Sequence, residues 1–305
     1  MSGPIGTGNH PKAFLLGVDV MWGLKYASHP AVYSRIFEQK NSGMNFEELV
    51  QNTPFGYAGK VDEGGTLLTA STQQGYVTRA VHVEWGLRCE VTFIEMEDGK
   101  YPQLHADRIA GLAFSANQTK ELVHALILDR ADNGSYIYGD LQPLISESHP
   151  DGKGGLWSNK LATGSTLDSE ALQDLSIMAT KATNDAGLQI ALMFKTLVVP
   201  ADLRFEAAKI LYTMGQAGTA NRDINVLQHE NVFSGGIIHH PYLKDTNNFF
   251  CLTNVPRAGL VTYQRRKPTF STDNVSQTRN ADFSFTERYS VTCGDPRAIF
   301  ASTPA

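Results

Sequence analysis

The sequence is short of cysteine, of excess charge and of long apolar runs. Cys89, Cys251 and Cys293 are its three cysteines, far apart and odd in number. They form no C-x-x-C pair, which excludes a disulfide scaffold and a zinc ribbon and fits buried thiols in a reducing compartment. Lysine and arginine total 26 against 31 aspartates and glutamates, a net charge of -5. A dedicated nucleic-acid binder would be strongly basic. No stretch reaches the ~18 uncharged apolar residues of a membrane span. The best candidate, 188–199, carries Lys195, and the run at 14–24 is broken by Asp19 and lacks a small-residue cleavage site. A signal peptide is therefore not expected, and the product reads as soluble, made in a cytoplasm and free of membrane contact. Internal repeats are absent as well.

What is present is ordinary globular material. The chain has 305 residues, 42% hydrophobic and 19% charged, enough for a real core. At roughly 150 residues per domain it predicts about two lobes. Charge is uneven: beyond Pro256 there are seven Arg or Lys and four Asp or Glu, so the tail is +3 and the remainder -8 (-5 minus +3). A basic tail on an acidic body suits contact between copies, and chance clustering is the plain alternative.

The first ~55 residues read as irregular, with Gly3, Pro4, Gly6, Gly8 and Pro11 crowding the start. Two short helices are predicted, one over 30–39 and one from Asn45, where Glu48 completes a capping box. Such a segment makes little core of its own and is expected to pack against something else. From Val77 to Phe93 the odd positions are apolar except for Arg79, and the even positions are polar or small. This predicts one strand with its odd face buried. Seventeen residues at ~3.3 Å each give roughly 56 Å, against a usual ~17–20 Å. The strand outruns a compact domain. The segment 57–70, broken at Gly64-Gly65, is its predicted hairpin partner.

A long helix is predicted from Pro102 to Arg130, about 43 Å at 1.5 Å per residue. It buries Ile109, Leu112, Ala113, Ala116, Val123, Leu126 and Ile127 and ends at Asn133-Gly134. Mixed α and β follow from Ser135 to about Asn254. Asp168 is a candidate N-cap for a helix burying Leu172, Leu175, Met178 and Ala182 and stopped by Gly187. A strand over Leu197–Val199 leads to Pro200, read as N1 of a helix that buries Leu203, Ala207, Ile210, Leu211 and Met214 and ends at Gly215. Strands are expected around Ile237 and Phe249. The last segment alternates through Phe283, Phe285, Tyr289, Val291 and Cys293.

Chemistry is sparse. There is no G-x-S-x-G elbow, no Walker loop and no H-E-x-x-H. Gly3, Gly6 and Gly8 match a dinucleotide fingerprint only superficially, because no strand precedes them. His239, His240 and Asp245 are candidate metal ligands, but adjacent strand residues point to opposite faces. His149-Pro150-Asp151 reads as a loop before it reads as a catalytic group. Arg265, Arg266 and Lys267 could touch phosphate or another subunit, and Pro268 marks an edge or a bend. Lys60 is a solvated lysine or, less simply, a crosslinking one. No residue is assigned as catalytic, cofactor-binding or metal-binding, and no cofactor is expected.

Several segments nevertheless resemble a known family. Ala58-Gly59-Lys60-Val61-Asp62-Glu63-Gly64-Gly65 with Gln74-Gly75-Tyr76 is similar to its extended loop. Thr92-Phe93-Ile94-Glu95-Met96-Glu97-Asp98 resembles the run into its spine helix. Leu144 to Pro150 followed by Ser158-Asn159 resembles its "His-Pro … Ser-Asn" loop. Leu197 to Leu203 and Asp295-Pro296-Arg297 resemble the axial strand-to-helix entry and the closing segment. The family is the major capsid protein of tailed bacteriophages, the Hong Kong 97-type fold, with the Mu-like branch nearest. The matches run from about Pro30 to the C-terminus.

The resemblance implies an α+β fold with an N-terminal arm (1–54) and an extended β-hairpin loop (55–85). It also implies a peripheral domain with a long spine helix (86–134 and 256–305) and an axial domain (135–255). It implies that the chain is not an enzyme and that it assembles with itself into pentamers and hexamers. These would form an icosahedral head, enclosing double-stranded DNA by non-specific contact. The implied location is the virion, with assembly in the host cytoplasm. Implied partners are a portal protein, a scaffolding protein and, optionally, decoration proteins. Only ~55 residues precede the extended loop, so scaffolding is expected either from a separate protein or from a domain already removed, and the Met1 start favours the separate protein. The alternatives are an encapsulin-like nanocompartment shell and a metal-dependent enzyme using His239 and Asp245.

Overall fold

Two four-stranded sheets organise the chain, and neither is built from consecutive strands. The computed structural model describes residues 20–92, 94, 101–152, 154–215, 224–255, 259–275 and 280–304. The described strands and main helices, in order, are β1 (Glu38–Asn41), β2 (Phe46–Asn52), β3 (Gln74–Val81), β4 (Val83–Val91), α1 (Tyr101–Asp129), β5 (His149–Pro150), β6 (Leu156–Trp157), α2 (Ser169–Lys181), β7 (Phe194–Pro200), α3 (Arg204–Tyr212), β8 (Ile237–His240), β9 (Phe249–Thr253), β10 (Leu260–Val275), β11 (Asn280–Cys293) and β12 (Ile299–Ser302). The first sheet runs β1-β10-β11-β4 and the second β12-β9-β7-β8. Two small pairs, β2-β3 and β5-β6, stand apart.

α1 crosses one face of the first sheet. Its Ile109, Leu112, Ala113 and Ala116 pack with Val91, Phe283 and Phe285, and Trp22 closes that core. The alternation of β11 follows, since every second residue from Ala281 to Tyr289 is buried. In the second sheet β7 is covered on both faces. Leu197 and Val199 face a core with Leu172, Leu175 and Leu211, while Val198 faces another with Phe37, Phe250 and Ile299. Cover on both sides explains its continuous apolar run. Leu260 and Cys293 of the first sheet join that latter core, which therefore seams the two sheets together.

α2 starts as its sequence predicts: Asp168 accepts from the Ala171 N–H at 2.6 Å, and Leu172, Leu175 and Ala179 are buried. It ends at Lys181, before Gly187, which occupies a left-handed turn position (φ 79°) in the loop beyond. α3 begins at Arg204, because Pro200 is the last residue of β7 and not a helix N1. Ala207 and Leu211 are buried, whereas Met214 is exposed.

The N-terminal expectations change most. The stretch 30–39 holds a single 3-10 turn, Tyr33–Arg35, and then β1, which pairs parallel with β10. The predicted helix at Asn45 is strand β2, antiparallel to β3. A capping box is a local signal, and β3 offers a partner that the local sequence does not show. Helical turns at 20–27 lay Trp22 against Phe270 and Phe285, with ring centroids 5.7 and 6.4 Å apart. This segment packs on its own chain.

The long strand is also divided. β3 and β4 meet at His82, whose ring is buried between the Ser42 and Ser290 hydroxyls, 3.0 Å from each. β3 pairs with β2 while β4 joins the first sheet. The hairpin partner is thus 46–52 and not 57–70, and the residues 53–73 connecting β2 to β3 form no strand. In β3 the even residues Thr78 and Ala80 are buried, the reverse of the expected face. Gly139 supports this packing, since a Cβ there would lie 2.9 Å from the backbone of Val77.

Candidate assembly surface

The odd residues of β4 were expected in a core, and the register shows which one. Cys89 stands opposite Phe283, Leu87 opposite Phe285, Trp85 opposite Glu287 and Val83 opposite Tyr289. Directly opposed residues share a face. The β4 row therefore belongs to the face that α1 covers. α1 covers β11 and the Cys89–Val91 end of β4, but the row beyond it is open. Val83 is 51% exposed, Leu87 47%, and Val81 just before them 61%.

Between this row and α1 lies a groove of about 330 Å³. Val81, Val83 and Trp85 form one wall and Val123, Leu126 and Ile127 the other, with Arg79 and Arg130 among the lining residues. A second unsupported apolar region is the 53–73 connection. Phe55, Tyr57, Leu67 and Leu68 are all more than half exposed there. Its tip is a tight turn in which the Gly65 N–H donates to the Asp62 carbonyl at 2.8 Å, and Gly64 takes φ 82°. Lys60 sits beside this turn, 3.6 Å from Asp62, with both side chains in solvent.

Three buried polar clusters tie the elements of the chain to one another. In the first, the Lys120 ammonium pairs with the Glu287 carboxylate and donates to Gln264 Oε1 at 2.8 Å. The Tyr33 and Tyr289 rings flank it, and their hydroxyls are pushed up by burial and by nearby Glu287, that of Tyr33 to about 12. In the second, Glu121 accepts from the Val32 and Tyr33 N–H groups at 2.6 and 3.1 Å and so fastens the N-terminal segment to α1. Burial holds His124 neutral, with its pKa lowered to about 3. Its Nδ1–H donates to the Lys120 carbonyl at 2.6 Å, and Nε2 accepts from Thr262 Oγ1 at 2.7 Å. His240, lowered to about 4 by burial, places Nε2 3.6 Å from Glu121.

The third cluster contains the His-Pro and Ser-Asn segments. Asn159 Nδ2 donates to the carbonyls of Leu144, Ile299 and Pro296 at 2.8, 3.1 and 3.2 Å. Its Oδ1 accepts from the Ser146 N–H at 2.8 Å and faces His149 Nε2 at 3.1 Å. Turning the amide over would set an oxygen against three carbonyls, so Nε2 carries a proton. His149 Nδ1 lies 2.6 Å from Asp140 Oδ2. Nearby, Arg297 pairs with Asp185 at 2.7 Å and lies over the Trp157 ring.

The other candidate residues fall apart. His239 is exposed and His240 buried, on opposite faces of β8, and Asp245 accepts from the Asn247 and Asn248 N–H groups in a separate turn. Among the described residues no three His, Cys, Asp or Glu could hold a metal ion. Arg265, Arg266 and Lys267 lie exposed on β10, with Arg266 paired to Glu84. The β10–β11 register shifts between Gln264 and Arg266 and again between Arg266 and Thr269, the stretch that contains Pro268. Gly3, Gly6 and Gly8 lie outside the described residues. No described helix is long and apolar enough to cross a membrane.

A body tied internally by polar clusters thus carries an apolar row and an apolar loop that the single chain does not cover. A family model described as phage capsid protein matches residues 75–302, well over half of the chain. The chain belongs to the phage capsid protein family, and it is a structural component of the virion. The match does not single out the Mu-like branch. Among solved structures, the capsid of an empty GTA particle has a TM-score of 0.57 and 15% identity, covering 90% of each chain. That of Microbacterium phage Oxtober96 has 0.55 and 11%, covering 91% of this chain and 92% of that one. The virus-like particle from Pyrococcus furiosus has 0.52 and 14%, covering 95% and 99%. At these identities the likeness is one of fold, the Hong Kong 97 type. A comparison with curated proteins finds no match.

Proposed function

We propose that this protein is the major head subunit, assembling into pentamers and hexamers that close an icosahedral shell around double-stranded DNA. The observation that carries the reading is the β4 row, whose sequence is written for burial and whose burial the single chain does not provide. Obligate interfaces commonly bury upward of ~2,000 Å² and resemble a core cut in half. The first sheet with α1 serves as the peripheral lobe. The second sheet with α2 and α3 serves as the axial lobe, and β2-β3 with 53–73 as the extended loop. A separate scaffolding protein, a portal and decoration proteins are the further partners, and contact with DNA is non-specific.

Negative-stain and cryo-electron microscopy of the purified full chain test this. Closed shells with five- and six-fold clusters support it, and a chain that stays monomeric at every concentration overturns it. Particles recovered from infected cells separate the two shell readings: packaged DNA supports a phage head, and a protein cargo supports a nanocompartment.

A further inference from the structure

We propose that Asn133-Gly134, in the turn that follows α1, is a self-modification site, where the asparagine side chain closes on its own backbone and reopens as aspartate or iso-aspartate. The inference goes beyond the shell reading and does not depend on it.

The sequence offers the pair once: Asn133 is the one asparagine of the chain followed by glycine. The attacking atom is the backbone nitrogen of the following residue, and glycine has no Cβ to crowd its approach.

The structure leaves that approach open. Asn133 and Gly134 are both exposed, and no heavy atom stands within 4 Å of the place a Cβ of Gly134 would take. The Gly134 N–H makes no hydrogen bond among the described residues, so its nitrogen is free to turn toward the side chain. Asn133 Oδ1 accepts from the Ser135 N–H at 2.9 Å. This Asx turn sets a donor on the oxygen where negative charge gathers when Cγ is attacked. Other asparagines lack the combination. Asn184 also accepts two N–H groups through Oδ1, but the next nitrogen belongs to buried Asp185, whose carboxylate Arg297 holds at 2.7 Å. Asn159 is fully buried with its amide engaged on both atoms.

The step balances with water alone. Gly134 N bonds to Asn133 Cγ and its proton passes through water to Nδ2. The Cγ–Nδ2 bond breaks and ammonia leaves, giving a succinimide. Water then opens the ring. Cleavage at Cγ yields aspartate, and cleavage at the main-chain carbonyl yields iso-aspartate, with the chain running through Cγ. One water enters, one ammonia leaves, and nothing is oxidised or reduced.

Either product puts a carboxylate just past the C-terminal end of α1, where the helix dipole favours cations. The iso form also adds one carbon to the main chain inside a tight turn. There the Asn133 N–H donates to the Arg130 carbonyl at 3.1 Å, and the Asn133 carbonyl accepts from the Tyr136 N–H at 2.9 Å. Arg130 lies over the Tyr136 ring, 4.4 Å from its centroid, and both residues line the groove between β4 and α1. An aged chain thus differs from a new one at the rim of that groove.

Peptide mass spectrometry of the full chain, held warm at neutral pH, tests this. Fragmentation that cuts beside the extra carbon tells iso-aspartate from aspartate. Asn133 should convert at least about tenfold faster than Asn41, Asn159 or Asn184, with iso-aspartate among its products. Gly134→Ala fits the open space, should stay folded by circular dichroism, and should slow conversion at least about tenfold. Ser135→Pro removes the N–H from Oδ1 and should slow it as well. An Asn133 amide that lasts as long as that of Asn184 overturns the proposal, and so does a Gly134→Ala chain that converts at the wild-type rate. An unchanged rate in Ser135→Pro overturns the part given to the turn.

Discussion

Asn159 Oδ1 and His149 Nε2 meet at 3.1 Å inside a fully buried polar cluster. The three carbonyls around Asn159 Nδ2 belong to Leu144, Pro296 and Ile299, so one amide ties the loop after α1 to the closing segment. Asn159→Asp replaces a donor with an acceptor at a fully buried site. Leaving buried groups unsatisfied beside a new charge costs on the order of 3 kcal/mol or more. The expected outcome is a lower urea midpoint, with Ser146 and Ile299 losing amide-exchange protection together.

Lys120 and Glu287 give a second prediction. Both side chains are almost wholly buried, so removing one partner strands a charge. Lys120→Met or Glu287→Leu alone should destabilise the chain by about 3–5 kcal/mol. The double variant should recover most of that loss, because the apolar pair carries no desolvation penalty. A double-mutant cycle by chemical denaturation reads the coupling. Additive single effects would contradict the pairing.

Acidification should weaken the subunit through His124 and His240. An unfolded imidazole takes up its proton near 6.5, whereas in the folded chain these do so only at about 3 and about 4. The unfolded state binds more protons across that window, so stability is complete above about 6.5 and falls as pH drops below it. At pH 5 each group accounts for on the order of 2 kcal/mol. Glu121, raised by burial, works in the opposite direction at the acid end. Denaturation midpoints from pH 8 to 4.5 should show the decline, and His240→Gln should flatten it.

Glu121 also makes a prediction about the N-terminal segment. It supplies the acceptor for the Val32 and Tyr33 N–H groups, and Glu121→Ala leaves both donors without it. Hydrogen exchange at Val32 and Tyr33 should rise by one to two orders of magnitude, matching about 1–3 kcal/mol of lost protection. Exchange at Leu172 and Leu175, in the other core, should stay as it was.

Sequence pattern was informative where burial followed one element's own period. α1, α2 with its Asp168 cap and β11 were legible for that reason, and β7 because its short apolar run is covered on both faces. β2 was not, because its capping box is local and its partner β3 lies across a 21-residue connection (53 to 73). The break at His82 was hidden because histidine suits the polar side of an alternating strand. β10 was missed because Arg265, Arg266, Lys267 and Pro268 interrupt its alternation where its register shifts. The polar clusters were invisible for a different reason: Lys120 and Glu287 are 167 residues apart, and neither has a local signal. The assembly surface was half legible. Alternation marked the residues of β4, but only the register showed that α1 leaves them open.

The open β4 row also sets a clock on each newly made chain. An apolar strand face in water will find a surface, whether the right neighbour or the wrong one. Crowding the cell with subunits before nucleation sites exist favours clumps, and a slower supply favours orderly growth. An apolar face that the single chain leaves open thus makes the timing of synthesis matter to the subunit's fate.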